Sequence, residues 1–319
     1  MKILFSGYGI KDETIGLYHV DNNLNYKRLA YDSIASPAFM VSDGQFIFTS
    51  EKKDGITLYS YLIQNAKKLV VYDTKEIPGS TITHLVYSKK NNLLIGCSYA
   101  DGSFFSMGVD NGKFTTLYIY QKQIEDDRLS RCHCVFLNKE EGILGVVNIA
   151  LDAIYFYDIE NGGLIEKSII NFPKGCGPRH SIYNHDDSLI YTMTEYSNEV
   201  IIADSKTGQI VQTISTIPNF NSTTYGATLC FSKDNKYLYT SNRGEDTIVK
   251  FEVNPDGTLV YLNSYSCGGN HPRHMTLTSD GKYIVSCNKN SNNITFFDTL
   301  LEKIVLDIPF NSPTGVLEI

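Results

Sequence analysis

The chain has 319 residues, of which 42% are hydrophobic and 20% are charged, so it can bury a core and is not disordered by composition. Its net charge of −7, without any long run of Lys or Arg, argues against a nucleic-acid-binding protein. No apolar run approaches the length of a membrane span, and the N-terminal residues lack the features of a signal peptide. We therefore expect a cytoplasmic protein that binds neither nucleic acid nor a membrane.

The seven cysteines are odd in number and irregularly spaced, so we expect reduced thiols rather than a disulfide framework. Cys132-His133-Cys134 is the one segment that suggests a zinc site. However, successive residues of a strand point to opposite faces, and no second Cys/His pair completes a tetrahedral set. The sequence therefore predicts no structural metal and no cofactor.

The N-terminal part of the chain reads as three short strands, KILFSGYG, IGLYHVD and NYKRLAYDS. From Pro37 onwards one pattern then repeats six times. The last five copies start at His84, His133, His180, Thr228 and His274, so successive starts differ by 49, 47, 48 and 46 residues. A repeat of this length indicates an architecture built from one supersecondary unit.

Each copy contains an apolar strand, a polar turn, a second strand, a short loop, a third strand and a more variable fourth strand. Turn residues such as Lys233-Asp234-Asn235, with β-branched and aromatic enrichment around them, favour hairpins over helices. Four strands in roughly 45 residues are typical of a propeller blade. The C-terminal SPTGVLEI resembles the first strand that the N-terminal part lacks.

We therefore predict an all-β, seven-bladed β-propeller with four antiparallel strands per blade. The N- and C-terminal strands would share one blade and close the ring, and residues 1–319 would form a single domain. The absence of Trp counts against the WD-repeat propellers, whose blades carry a Trp-Asp pair.

Polar residues recur where one rim of the channel is predicted. In a blade the start of the first strand and the end of the second lie at the same rim. Asn242 follows Thr228 by 14 residues and Asn288 follows His274 by 14, whereas Asn148 follows His133 by 15. The next residue changes from blade to blade, as Ile149, Glu195, Arg243 and Lys289. Unlike charges that converge in a concave site favour a functional role.

Pro-Arg-His occurs twice, as Pro178-Arg179-His180 and as Pro272-Arg273-His274. Proline cannot donate to a strand ladder and suits the approach to a strand, so the following Arg and His are expected near the channel mouth. The repeated histidines have an alternative interpretation, a structural hydrogen bond that joins neighbouring blades.

Three segments carry a resemblance to a known family: GPRHSIYNHDDSLIYTMTEYSNEV, YGATLCFSKDNKYLYTSNRGEDTIVKFEV and NHPRHMTLTSDGKYIVSCNKNSNNITFFD. They resemble the seven-bladed propeller lactonases, which include bacterial 6-phosphogluconolactonases and fungal carboxymuconate lactonizing enzymes. The resemblance implies hydrolysis, or its reverse, at a sugar-acid or muconate lactone. It also implies catalytic residues at the channel mouth, which by motif are Arg179, Glu195, Arg243 and His133.

Opening a lactone requires an activated water and donors for the oxyanion. We expect Glu195 or His133 to be the base, and Arg179 and Arg243 to stabilise the oxyanion or hold an anionic group of the substrate. Further predicted substrate contacts are His180, Asn242, Arg273, His274, Asn288 and Lys289.

The sequence therefore predicts a 6-phosphogluconolactonase of the pentose phosphate pathway that acts on a small phosphorylated sugar lactone. It would be a monomer or a weak homo-oligomer. The alternatives are a lactonase or lactonizing enzyme for another anionic lactone, a metal-dependent sugar lactonase, and a non-catalytic propeller that binds a protein.

Overall fold

A computed structural model describes residues 1–9, 13–65, 67–122, 129–219 and 222–319. Throughout these ranges the regular structure is β, and 28 strands form seven four-stranded antiparallel sheets. The predicted seven-bladed β-propeller with four strands per blade is confirmed.

The strands follow one another along the chain, and we number the blades 1 to 7 in the same direction. Blade 1 contains β1 (Lys2–Gly7), β2 (Ile15–Val20) and β3 (Tyr26–Asp32), and blade 2 contains β4 (Met40–Ser42), β5 (Phe46–Lys52), β6 (Ile56–Gln64) and β7 (Lys68–Ile77). Blade 3 contains β8 (His84–Ser88), β9 (Leu93–Cys97), β10 (Ser103–Asp110) and β11 (Lys113–Gln121). Blade 4 contains β12 (Cys132–Leu137), β13 (Ile143–Asn148), β14 (Ala153–Glu160) and β15 (Gly163–Asn171).

Blade 5 contains β16 (Pro178–Tyr183), β17 (Leu189–Thr194), β18 (Glu199–Asp204) and β19 (Ile210–Ser215). Blade 6 contains β20 (Tyr225–Phe231), β21 (Tyr237–Arg243), β22 (Thr247–Val253) and β23 (Leu259–Ser266). Blade 7 contains β24 (Pro272–Leu277), β25 (Tyr283–Asn288), β26 (Asn293–Asp298) and β27 (Lys303–Pro309), and β28 (Pro313–Glu318) returns to blade 1.

Both ends of the chain form blade 1. Strand β28 pairs antiparallel with β1, from Ile3 opposite Glu318 to Phe5 opposite Val316. It therefore supplies the first strand that the N-terminal part lacks, as predicted. Since β28 also contacts blades 7 and 2, this pairing closes the ring.

The hydrophobic core is divided among the interfaces between blades. The described residues form seven buried clusters, and each one joins two neighbouring blades. Between blades 5 and 6, for example, Tyr191 and Met193 pack with Leu238 and Phe251, all of them fully buried. Burial of one such side chain contributes about 1.5–3 kcal/mol. These interfaces hold the first strands at fixed positions around the channel.

Candidate active site

Strand register assigns one residue per blade to each of three levels of the channel. At the outer level, which we call the mouth ring, the residue follows the end of each second strand. Its members are Tyr8, Lys52, Tyr99, Ile149, Glu195, Arg243 and Lys289. In several blades the backbone N–H of this residue donates to a carbonyl that precedes the first strand, as from Glu195 to Gly177 at 2.7 Å.

Two deeper levels come from the first strands. The middle ring contains the residue at the bulge of each first strand or its counterpart: Ala38, Thr83, His133, Arg179, Ala227, Arg273 and Thr314. The inner ring contains the residue that follows: Phe39, His84, Cys134, His180, Thr228, His274 and Gly315.

A cavity of ≈ 370 Å³ opens at the mouth and middle rings. Its mouth-ring lining is Tyr8, Lys52, Tyr99, Glu195 and Arg243, and its middle-ring lining is Ala38, Thr83, His133 and Arg273. The volume lies within the range of small-molecule sites. Three cations and one carboxylate share the wall, which suits an anionic ligand.

An ion-pair cluster forms one side of this cavity. Oxygen Oε2 of Glu195 accepts a hydrogen bond from Nε of Arg179 at 2.9 Å and lies 2.8 Å from Nη2 of Arg243. Arg179 also donates to the carbonyl of Ala227, and Arg243 donates to the carbonyl of Gly226 at 2.7 Å. The cluster therefore ties blade 5 to blade 6 and fixes the Glu195 carboxylate.

The two arginines differ in their access to the cavity. Arg179 is 1% exposed and lies behind Glu195, whereas Arg243 belongs to the cavity wall. The buried Nε of Arg243 has no hydrogen-bond partner among the described residues. Arg179 is thus placed to position Glu195, and Arg243 to contact a ligand.

The second oxygen of Glu195 is available for chemistry. Oε1 receives no hydrogen bond from the part of the chain that the structure describes, and the side chain is 18% exposed. Burial alone would raise the pKa of Glu195, but the charges of Arg179 and Arg243 outweigh it, so the pKa is lowered. Glu195 is therefore ionised at neutral pH and can accept a proton from water through Oε1.

His133 lies in the middle ring, in the same register position as Arg179 and Arg273. It lines the cavity with its ring 6.0 Å from that of Tyr99, and its Nδ1 is buried without a partner among the described residues. Burial, followed by the charge of Arg179, lowers the pKa of His133 well below its ordinary value. The neutral imidazole is consequently a weak base.

The repeat alignment placed His133 one position too deep. It compared His133 with His180 and His274, whereas the register makes Cys134 their counterpart. The signal was present in the sequence, because Asn148 follows His133 by 15 residues instead of 14. The extra residue is the strand bulge.

Arg273 and Lys289 both lie near Tyr8. Arg273 donates to the Tyr8 hydroxyl at 2.8 Å, and its guanidinium carbon lies 5.3 Å from the centre of the Tyr8 ring. The ammonium of Lys289 lies 5.7 Å from the same ring. Arg273 lines the cavity, whereas Lys289 is absent from its lining among the described residues.

Asn242 and Asn288 are placed differently from the prediction. Both are 0% exposed and turn into their blades. The amide of Asn242 bonds to Thr216, and that of Asn288 donates to the carbonyl of Cys267 at 3.3 Å. These amides satisfy buried loop groups instead of facing a ligand, because strand ends inside a ring leave such groups away from water.

His180 and His274 also lie outside the large cavity, in the inner ring below it. Nδ1 of His180 lies 3.0 Å from the Thr228 hydroxyl, the inter-blade hydrogen bond that the sequence allowed as an alternative. Beside these histidines the channel narrows to a void of ≈ 10 Å³, about enough for one water molecule. A lactone in the large cavity would therefore lie above both of them.

Three mouth-ring residues escaped the sequence reasoning: Tyr8, Lys52 and Tyr99. In the other four blades the mouth-ring residue was recognised by its distance from the start of the repeat. Blades 1 and 2 lack the histidine that marks this start, and blade 1 is formed from both ends of the chain. Only strand pairing reveals the equivalence.

Within the described ranges, one group has donor atoms close enough to hold a metal ion. It consists of His84, Cys134 and His180, whose donor atoms lie within 4.8 Å of one another. Burial, and then neighbouring charges, lower the pKa of His84 to about 3, so its imidazole is neutral. The charge of Arg179 also lowers the pKa of both histidines, and for the same reason it opposes a second cation there.

Sequence comparison identifies the family. The profile of the family described as lactonase, seven-bladed β-propeller, matches residues 3–317. The chain belongs to this family. It is 24% identical over 315 residues to the 6-phosphogluconolactonase of Bacillus subtilis (strain 168), covering 92% of this chain and 90% of that protein. It is 27% identical over 252 residues to the 6-phosphogluconolactonase of Sodalis glossinidius (strain morsitans), covering 75% of this chain and 73% of that protein.

Solved structures agree on the architecture. A protein from Lactobacillus plantarum matches with a TM-score of 0.90 at 23% identity, over 100% of both chains. The periplasmic gluconolactonase of Pseudomonas aeruginosa matches with a TM-score of 0.89 at 20% identity, over 99% of this chain and 98% of that one. These likenesses show the propeller fold of this lactonase-family chain. In the described ranges, no helix is long and apolar enough to cross a membrane.

Proposed function

We propose that this protein hydrolyses 6-phosphogluconolactone, as a step of the pentose phosphate pathway in the cytoplasm. The observation that carries the proposal is the fixed, ionised carboxylate of Glu195, set beside Arg243 in the wall of a cavity that also contains Lys52 and Arg273. Membership of the lactonase family supports the reaction. The names of the Bacillus subtilis and Sodalis glossinidius relatives support the substrate.

In this proposal Glu195 is the general base. Its Oε1 accepts a proton from a water molecule as the water oxygen attacks the lactone carbonyl carbon. The bond between this carbon and the ring oxygen then breaks, and the proton passes from Glu195 to the leaving alkoxide. The product is the open hydroxy acid, which ionises at neutral pH. A base with a lowered pKa is modest, so the orientation of the water contributes much of the rate.

Arg243 stabilises the oxyanion that forms at the carbonyl. Its Nε–H has no partner among the described residues and is available as a charged donor. Arg179 acts through Glu195, since it holds Oε2 and thereby directs Oε1 towards the cavity. Neutral His133, next to the same cavity, is proposed to orient the water or the substrate rather than to remove the proton.

The test is the hydrolysis of freshly prepared 6-phosphogluconolactone above its spontaneous rate, with and without a chelator. We expect a clear wild-type rate that the chelator leaves unchanged, since Arg243 supplies the charge that a metal would otherwise provide. Glu195→Gln and Arg243→Met should each lower kcat by about 100-fold or more. Thermal midpoints, measured in parallel, separate loss of chemistry from loss of fold.

A wild-type rate no higher than background would overturn the proposal and favour another lactone or a non-catalytic binding role. A rate that the chelator abolishes would instead favour the metal-dependent lactonase, with His84, Cys134 and His180 as the first ligands to replace.

A further inference from the structure

The end of the cavity opposite Glu195 has its own chemistry. The ring order of the blades puts Lys52, in blade 2, three blades away from Glu195, in blade 5, which is the greatest separation that seven blades allow. Both residues are members of the mouth ring and line the same cavity. A ligand that spans the cavity can therefore contact Glu195 at one end and Lys52 at the other.

Lys52 differs from the other cations of the cavity in having no partner. Arg243 is paired with Glu195, and Arg273 donates to the Tyr8 hydroxyl. The side chain of Lys52, by contrast, forms no hydrogen bond or ion pair with any residue in the described part of the chain. Its backbone N–H, fixed at 2.8 Å from the carbonyl of Ala35, sets the side chain at the mouth.

Two hydroxyl groups accompany this ammonium group. Ser50 and Thr81 line the same cavity, and within the described ranges neither hydroxyl has a hydrogen-bond partner. The neighbouring Thr83 is different, because its hydroxyl accepts from the backbone N–H of Tyr99 at 2.9 Å. One free ammonium group and two free hydroxyls offer the donors that a phosphate monoester requires.

We propose that Lys52, with the hydroxyls of Ser50 and Thr81, forms the subsite for the phosphate group of the substrate. This inference rests on the proposed function, in which the lactone carbonyl lies beside Glu195 and Arg243. The phosphate then lies across the cavity, where its charge is balanced by Lys52 and kept apart from the carboxylate of Glu195. Lys52 is in this way the residue that selects a phosphorylated lactone over an unphosphorylated one.

The experiment compares Lys52→Met with wild type on 6-phosphogluconolactone and on glucono-δ-lactone, which lacks the phosphate. We expect kcat/KM for the phosphorylated substrate to fall about 10-fold to 100-fold through KM, since a hydrogen-bonded charge pair is lost. Hydrolysis of glucono-δ-lactone should be unchanged. Lys52→Arg should retain the preference. The matched control is Lys53→Met, because Lys53 is the exposed neighbour and is not part of the described cavity lining.

A wild type that hydrolyses both lactones with equal kcat/KM, or a preference that Lys52→Met leaves intact, would overturn the inference and leave the lactonase function standing. If the wild type hydrolyses neither lactone, the proposed function fails, and calorimetric binding of 6-phosphogluconate and gluconate then decides the inference. Loss of 6-phosphogluconate binding in Lys52→Met alone would support the subsite. Equal binding by wild type and variant, or no binding by either, would overturn it.

Discussion

The two Pro-Arg-His segments have the same sequence and the same strand register but different surroundings. Arg179 is 1% exposed and paired with Glu195, whereas Arg273 is partly exposed and donates to the hydroxyl of Tyr8. The difference comes from the mouth-ring residue of the same blade, Glu195 in blade 5 and Lys289 in blade 7. A repeated motif therefore sets where a side chain starts, and the variable neighbour decides whether it is structural or free for a ligand.

Removal of the carboxylate should produce the largest difference between the two copies. Glu195→Gln leaves Arg179 and Arg243 as buried cations without a counter-charge, so we expect the free energy of unfolding to fall by about 3–5 kcal/mol. Urea denaturation measures this loss. The control Glu199→Gln changes a carboxylate with no ion pair among the described residues and should cost less than about 0.5 kcal/mol. A loss no larger than that of the control would show that the cluster is not a stabilising element.

The exposed copy should respond in ligand binding instead of stability. Arg273→Met is expected to raise KM for 6-phosphogluconolactone about 10-fold, with kcat nearly unchanged, because a charged donor to the substrate is removed. The control is Arg131→Met, since Arg131 lies over the Tyr99 ring at 4.9 Å much as Arg273 lies over Tyr8, but is outside the described cavity lining. Equal effects of the two substitutions, or a fall in kcat alone, would contradict this role.

The histidines of the two segments should make the fold sensitive to acid. Burial first, then the charge of Arg179, lowers the pKa of His274 to about 3, from an ordinary value of 6.5. Between these values the unfolded chain binds a proton that the folded chain does not, so stability falls as the pH drops from about 6.5 towards 3. His84 behaves alike, and the pKa of His180 is also lowered.

His274→Phe should weaken this pH dependence by at most about 1.4 kcal/mol per pH unit, the smallest effect expected here. Phenylalanine is suitable because Phe39 already occupies the inner ring in blade 2. Denaturant midpoints from pH 7 to pH 4 measure the slope, with His185→Asn in an exposed turn as the control. A slope identical to that of the wild type would mean that His274 is not buried in its neutral form.

The sequence by itself determined the architecture, because the alternation of strands and turns repeats with every blade. It predicted the closure of the ring, with SPTGVLEI as the missing strand, and the proximity of Arg179, Glu195 and Arg243. These features depend on local pattern and fixed spacing, so they can be counted along the chain. The functional roles of these residues remain predictions.

The tertiary structure decided which polar groups face the cavity. The spacing that brought Glu195 to the mouth also selected Asn242 and Asn288, yet both amides turn into their blades to satisfy buried groups. A one-residue bulge moved His133 to the level of Arg179, and only strand pairing related Lys52 to Glu195 across the channel. Side-chain direction and contacts between distant blades depend on the assembled ring, so no local spacing in the sequence encodes them.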